Sequence, residues 1–172
     1  TTAFRLLGEA RLAEHKDDLA LAAFSQGLNG PSTDADAQKM LEERAQIYDR
    51  QHRYDLALAD YNKLLKIADD PRVQGLRMQE AFAEGKYDQA LSDAVALNGN
   101  TAASQGIVNL IRGASLVEQA KGNDTSNDQQ AIPFLKQAVT SPDVASAKLL
   151  GEANEYLARA KFAVHDYKAA LD

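Results

Sequence analysis

Residues 52–65 read HRYDLALADYNKLL, and residues 15–28, thirty-seven positions earlier, read HKDDLALAAFSQGL. Seven of the fourteen positions are identical, and Lys16/Arg53, Phe24/Tyr61 and Ser25/Asn62 exchange like for like. A chain that repeats a segment at such a distance builds one structural unit more than once. The repeat can be followed through an alanine at Ala20, Ala57, Ala90, Ala131 and Ala170, with spacings of 37, 33, 41 and 39. Four residues after the first four anchors stand Phe24, Tyr61, Ala94 and Leu135, and seven after stand Gly27, Leu64, Leu97 and Ala138. Spacings of four and seven put these side chains on one stripe of a helix.

Twelve residues before the anchor a second small or slender residue recurs, at Gly8, Ala45, Met78 and Ala158. Gly113 takes that place in the fourth unit if six extra loop residues are allowed. Each unit is therefore two helices joined by a short turn. Gly30-Pro31, Asp69-Asp70-Pro71 and Asn98-Gly99-Asn100 separate successive units, and Ser141-Pro142-Asp143 places a cap, a first-turn proline and a first-turn acid in order. The spacing predicts helices over 2–14, 17–29, 34–51, 54–68, 71–84, 87–97, 102–121, 128–140, 142–164 and from 167 onward.

The pattern resembles the tetratricopeptide repeat. The residues that carry the resemblance are Phe4, Leu7, Gly8, Ala20, Phe24 and Gly27 in the first unit, and Leu41, Ala45, Tyr48, Tyr54, Ala57, Tyr61 and Leu64 in the second. Gly85-Lys86-Tyr87 with Ala90-Leu91, Ala131-Ile132-Pro133-Phe134-Leu135, and Asp166-Tyr167 with Ala170-Leu171 continue it. The resemblance implies an all-α fold: a right-handed superhelical array of antiparallel helix pairs, an α-solenoid. The array would be a single one over 1–172, with units at about 1–32, 33–70, 71–100, 101–141 and 142–172. The first helix of the third unit, VQGLRMQEAFAEG, fits the pattern least well, and a second echo, LLGEA at 6–10 and 149–153, is out of phase with the anchors and reads as coincidence.

Composition agrees with helices and narrows the partners. The chain has 172 residues, 45% of them hydrophobic, with no Trp, no Cys and four Pro. A net charge of −6 argues against a nucleic-acid ligand and an anionic membrane, both of which call for a basic face. The longest apolar stretch, Ile107 to Val117, is broken by Asn109 and Arg112, so this segment is not expected to insert in a membrane. The opening TTAFRLL and the closing HDYKAALD read as cut ends of a longer protein, leaving the array truncated at its C-terminal end. An uncapped last helix would be weakly held and would favour self-association.

The three histidines, His15, His52 and His165, share one column with Gly85 and Ser126, five residues before each anchor. That column is the turn inside a helix pair. Equivalent atoms of stacked helices lie about 10 Å apart, whereas a metal draws each ligand to about 2 Å, so the histidines read as turn residues and not as metal ligands. There is no G-x-S-x-G, no phosphate-cradling glycine loop and no H-E-x-x-H. Asp17/Asp18, Glu42/Glu43 and Asp69/Asp70 read as caps or solvated faces. No catalytic residue, cofactor or metal is expected. The segment 122–130, GNDTSNDQQ, reads as a polar surface insertion or a partner-contacting loop, and Asn123-Asp124-Thr125 matches a glycosylation acceptor.

What remains is a surface. In arrays of this kind the first helix of each pair lines a concave face, and the resemblance implies that a peptide or helix of another protein lies there. The register assigns to that face Arg5, Glu9, Leu12, Lys39, Glu42, Gln46, Asp49, Arg72, Gln79, Phe82, Glu155, Arg159 and Phe162. The expected function is a non-catalytic protein-interaction scaffold, such as the repeat region of a bacterial envelope or secretion protein, with the periplasm favoured over the cytoplasm. The alternative is a cytosolic co-chaperone or regulatory module; a carbohydrate-binding or enzymatic domain is a third reading.

Overall fold

The computed structural model describes residues 1–101, 103–120 and 125–164, and the chain within them is helical, with no strand. The helices are α1 (Thr2–Ala13), α2 (Asp17–Asn29), α3 (Asp34–Arg50), α4 (Tyr54–Ile67), α5 (Pro71–Ala83), α6 (Tyr87–Ala96), α7 (Gln105–Gln119), α8 (Ser126–Val139), α9 (Pro142–Ser146) and α10 (Leu150–Ala163). From α1 to α6 each helix begins at the residue expected and ends within one of it. The signals behave as their chemistry dictates. The Thr33 hydroxyl accepts from the Asp36 amide at 3.2 Å, and the Asp70 carboxylate accepts from the Arg72 amide at 2.8 Å. Pro71 and Pro142 occupy first-turn positions, where no helical N–H is lost.

The turns within the pairs explain the histidine column. His15, His52 and Gly85 all have positive φ, at 56°, 56° and 73°. After α1, Lys16 N donates to Arg11 O and His15 N to Leu12 O; after α3, Arg53 N donates to Tyr48 O and His52 N to Asp49 O; after α5, Lys86 N donates to Ala81 O and Gly85 N to Phe82 O. This is the Schellman arrangement, in which one left-handed residue lets two amides satisfy carbonyls orphaned at a helix end. Histidine and glycine share the column because both fill this backbone position. Ser126, placed in the same column by spacing, is instead the first residue of α8, and His165 lies outside the described residues.

The chain divides into two compact units, Thr1–Glu80 and Ala81–Asp172, so the boundary falls inside α5. In the first unit α1 packs on α2, α2 on α3 and α3 on α4, and α1 also touches α3. Its core holds Ala20, Phe24, Met40, Ala45, Ile47, Ala57 and Tyr61, each at most 1% exposed. In the second unit α7 is central. It packs on α6, α8, α9 and α10, and its buried residues run around the helix from Gly106 to Val117. This makes α7 the interior helix of the unit, which is the use the stretch Ile107–Val117 finds, with Arg112 only partly buried. All four anchors within the described residues, Ala20, Ala57, Ala90 and Ala131, are fully buried, as are Phe24, Ala94 and Leu135 four positions on, with Tyr61 at 1%. Gly8 and Gly113 let Phe24 and Leu135 lie directly on the helix backbone.

Three expectations are corrected. The helix expected over 142–164 is two helices, because Lys148 (φ 61°) makes the same Schellman turn: Leu149 N donates to Val144 O and Lys148 N to Ala145 O. A lysine gives no warning of a left-handed residue. In consequence α10 buries Ala153, Leu157 and Ala160, and Ala158 is only partly buried. The start of α7 is Gln105 and not residue 102, because the Gln105 side chain is committed to the preceding loop. It accepts from Gly99 N at 2.9 Å and donates towards Leu97 O and Asn100 O. The insertion read over 122–130 is shorter than expected, since 126–130 are the first turns of α8; Asn123, Asp124 and the residues from 165 on lie outside the described residues. Gly151, in the second LLGEA, meets nothing within 4 Å, unlike Gly8 in the first.

Candidate functional site

In the first unit the first helices of successive pairs lie side by side and are tied by ion pairs. Arg5 Nε donates to Asp36 Oδ1 at 2.7 Å, joining α1 to α3, while its other arm reaches Glu9 at 2.6 Å. Arg72 donates to both Glu42 oxygens at 2.8 and 3.2 Å, joining α5 to α3. Gln46 donates to Glu42 at 3.4 Å, and Lys39 pairs with Glu43 at 2.9 Å. These side chains are partly exposed or exposed, so water screens each pair and its contribution to stability is small. They set a polar row along α1, α3 and α5. Leu12, assigned to the same row, packs instead beside the cluster of Ala20 and Phe24, and Gln79 donates back to Gly75 O at 3.3 Å.

Beside the row stands a carboxyl pair. Asp49, in the last turn of α3, is exposed. Glu80, on α5, is 6% exposed, with Asp49 as its charged neighbour. Its Oε2 is buried with no hydrogen-bond partner. Burial first, then the Asp49 charge and the hydrogen bond to it, push the Glu80 carboxyl up to about 8. Tyr61 of α4 lies within the same field. Burial raises its hydroxyl pKa, Glu80, Asp49 and Glu42 raise it further, and Arg72 lowers it. A small cavity of about 90 Å³ opens nearby, between Glu42, Arg72, Val73 and Leu64.

In the second unit Phe82 meets Tyr87 at a tilt and Tyr156 edge to face, with ring centroids at 5.6 and 6.1 Å. Arg159 lies over the Tyr156 ring at 4.9 Å and donates to Glu118 at 2.7 Å. Glu155 and Phe162 are exposed on the same helix, Phe162 at 63%. Phe82 and Arg159 are therefore parts of one aromatic and ionic cluster.

The structure thus gathers Arg5 with Glu9, and Glu42 with Gln46 and Arg72, and sets Asp49 against a residue that sequence reasoning passed over. Asp36 and Glu80 were missed, as was the buried pair of Arg44 and Asp60. In that pair the Arg44 guanidinium donates to both carboxylate oxygens of Asp60, at 2.7 and 2.6 Å. Glu80 carried a readable signal. It stands ten residues before its anchor Ala90, as Ile47 stands before Ala57, and Ile47 is fully buried. Among the described residues no group of three or more His, Cys, Asp or Glu is placed to hold a metal ion, and no helix is long and apolar enough to cross a membrane. His52 Nδ1 lies 2.7 Å from the Tyr54 hydroxyl, a contact local to its turn.

No family model matches the chain, and no curated protein is found to be related to it.

Proposed function

We propose that this chain is a tetratricopeptide-like, non-catalytic scaffold that holds a peptide or helix of another protein along its first-helix row. The observation that carries the reading is the row of the first unit, in which packing commits the alanine anchors and leaves Glu42, Gln46 and Asp49 facing outward in line with Arg5 and Glu9. Chain geometry of this kind reads an extended or helical segment through several weak contacts at once.

One specific observation separates this reading from the co-chaperone alternative. A clamp for a C-terminal carboxylate needs free basic groups on successive first helices. Arg5 spends its guanidinium on Glu9 and Asp36, and Arg72 spends its own on Glu42 and Asp70. Glu43 and Leu76 stand where such a clamp requires an asparagine and a basic residue. An acidic tail would meet carboxylates already in place, each repelling it by about 1 kcal/mol at 4 Å in water and by more when desolvated.

The test is site-specific photocrosslinking in cells of the native host. A benzophenone side chain at Gln46 on α3 is compared with one at the exposed Gln26 on α2. A discrete protein adduct from position 46 and none from position 26 is expected. No adduct at 46, or equal adducts at both, overturns the reading. Titration calorimetry against an acidic chaperone tail peptide should give no heat of binding; micromolar affinity lost on Arg5→Ala would favour the co-chaperone instead.

A further inference from the structure

The buried pair of Arg44 and Asp60 belongs to a column that the repeat carries further. One residue before Ala45, Met78 and Gly113 stand Arg44, Arg77 and Arg112; three residues after the anchors Ala57, Ala90 and Ala131 stand Asp60, Asp93 and Phe134. In the second helix pair the Arg44 guanidinium donates to both oxygens of Asp60. In the fourth pair the arginine is kept, but a phenylalanine stands where the carboxylate would be. Arg112 lies over the Phe134 ring, its guanidinium carbon 4.0 Å from the centroid. The ring attracts one face of the guanidinium but takes none of the N–H donors that point outward in its plane. Among the described residues no carboxylate or other acceptor meets the Arg112 side chain, although it is partly buried and the chain carries a net charge of −6.

Arg112 and Phe134 line a groove. α6 and α8 both pack on α7, and all three helices contribute to a groove of about 360 Å³ within the second unit. Leu91 and Val95 of α6, Leu116 of α7, and Pro133 with Phe134 of α8 make its walls apolar. Val95 is 51% exposed, so the groove opens to solvent. Gln130, which also lines it, spends its amide on Ser126 O at 3.2 Å. We propose that this groove receives a partner segment in which a glutamate or aspartate is flanked by bulky aliphatic side chains, its carboxylate taking the place that Asp60 fills in the second pair. The planar fork of a guanidinium takes a carboxylate through a pair of parallel N–H donors. The aliphatic side chains leave water for the walls at Leu91, Val95 and Leu116. A single cation among the described lining residues is too little for a polyanion such as a nucleic acid.

The groove shares no residue with the polar row of α1, α3 and α5, so the two readings stand or fall separately. It also carries its own control. Phe134→Asp restores the residue type that Asp60 and Asp93 represent in the column, and both of those aspartates are buried, at 1% and 2% exposure. An aspartate at 134 would hold the Arg112 guanidinium from within the chain, as Asp60 holds Arg44. A carboxylate arriving from outside would then have no free donors to meet.

The experiment uses the 172-residue chain and three acetylated, amidated peptides. The first has a central glutamate between two pairs of leucines and a serine at each end. The second has glutamine for the glutamate, and the third has serines for the leucines. Nitrogen-15 spectra follow the Arg112 Nε–H, and methyl spectra follow Leu91, Val95 and Leu116, in the unaltered chain. The glutamate peptide should shift both sets of signals, and each of the other two should bind at least tenfold more weakly. Arg112→Gln, with its fold checked by a thermal melt, should bring the glutamate and glutamine peptides to equal affinity. Phe134→Asp should abolish binding of the glutamate peptide. An Arg112 signal unmoved by millimolar glutamate peptide, equal affinity of the unaltered chain for the glutamate and glutamine peptides, or undiminished binding to Phe134→Asp overturns the proposal. Dodecanoate shifting the same signals at lower concentration than the glutamate peptide overturns it too, in favour of a free fatty acid.

Discussion

Gly8 lies so close to the ring of Phe24 that a Cβ built at position 8 would stand 2.2 Å from Cε1 and 2.5 Å from Cδ1. The ring is fully buried and is flanked by Met40 and Leu21, so it has no room to retreat. Gly8→Ala should therefore destabilise the first unit by roughly 1–3 kcal/mol, the usual range for overpacking, even though alanine is the better helix former. Urea melts give the value. A melt equal to or better than wild type would show that the α1–α2 contact is looser than its geometry.

Tyr61 is the counterpart of Phe24 in the second pair and is 1% exposed. Tyr61→Ala should cost roughly 3–5 kcal/mol, as loss of a large buried aromatic does. A melt within about 1 kcal/mol of wild type would place Tyr61 outside the core.

The alternation of histidine and glycine in the turn column predicts a substitution that helps. A left-handed residue other than glycine is strained by roughly 1 kcal/mol. His15, with φ 56° and an exposed side chain, makes no side-chain hydrogen bond or ion pair among the described residues. His15→Gly should raise the unfolding free energy by up to about 1 kcal/mol, and His15→Val should lower it. Thermal melts of the two variants moving in the same direction would contradict the turn geometry.

How far the sequence could be read follows from the kind of feature concerned. The anchors Ala20, Ala57, Ala90 and Ala131 were legible because close helix packing imposes a small residue at a fixed helical spacing, and repetition averaged out the noise. The turn at Lys148 was not, since nothing in a lysine announces φ 61° and only the packing of Val144 and Ala153 on either side requires it. The polar row was legible as a face, through the register of Arg5, Glu9, Glu42 and Gln46. Its wiring was not, because Arg5 meets Asp36 and Arg72 meets Glu42 across about thirty residues of chain, and spacing within a helix says nothing of partners between helices. Glu80 was hidden for a further reason. It sits in the helix that fits the repeat least, where a charged residue passes for surface, although the column it shares with Ile47 marks it as interior.

Arg44 and Asp60 illustrate the same blindness with a stability consequence. Asp60 is 1% exposed and depends on the two hydrogen bonds from Arg44, whose side chain also reaches the Ser25 hydroxyl at 2.9 Å. Arg44→Ala would leave a buried carboxylate paired only with Lys63 at 3.8 Å. The expected cost is about 3–5 kcal/mol. Replacing both partners at once, Arg44→Met with Asp60→Leu, should recover most of it. A double variant no more stable than Arg44→Ala would mean that the pair does more than satisfy itself.

Glu80 makes the stability of the chain depend on pH in a direction opposite to that of an ordinary paired carboxylate. Its ordinary value of 4.5 is pushed up to about 8 in the fold. Between those two values the folded chain holds a proton that the unfolded chain has released. Raising the pH through that window therefore lowers stability, with the loss complete above about 8 and absent below 4.5. The charge that acts on it, Asp49 on α3, is common to wild type and variant, and burial keeps Tyr61 protonated. Glu80→Gln removes only the titrating group. At about 1.4 kcal/mol per pKa unit, and allowing for relaxation of the site, the variant should be more stable than wild type by roughly 2–4 kcal/mol at pH 9 and nearly equal to it at pH 4. Urea denaturation at pH 4, 6, 7.5 and 9 measures the gap. It should open with rising pH. A gap that stays constant across the series would mean that Glu80 is ionised in the fold and that its buried oxygen is satisfied by water.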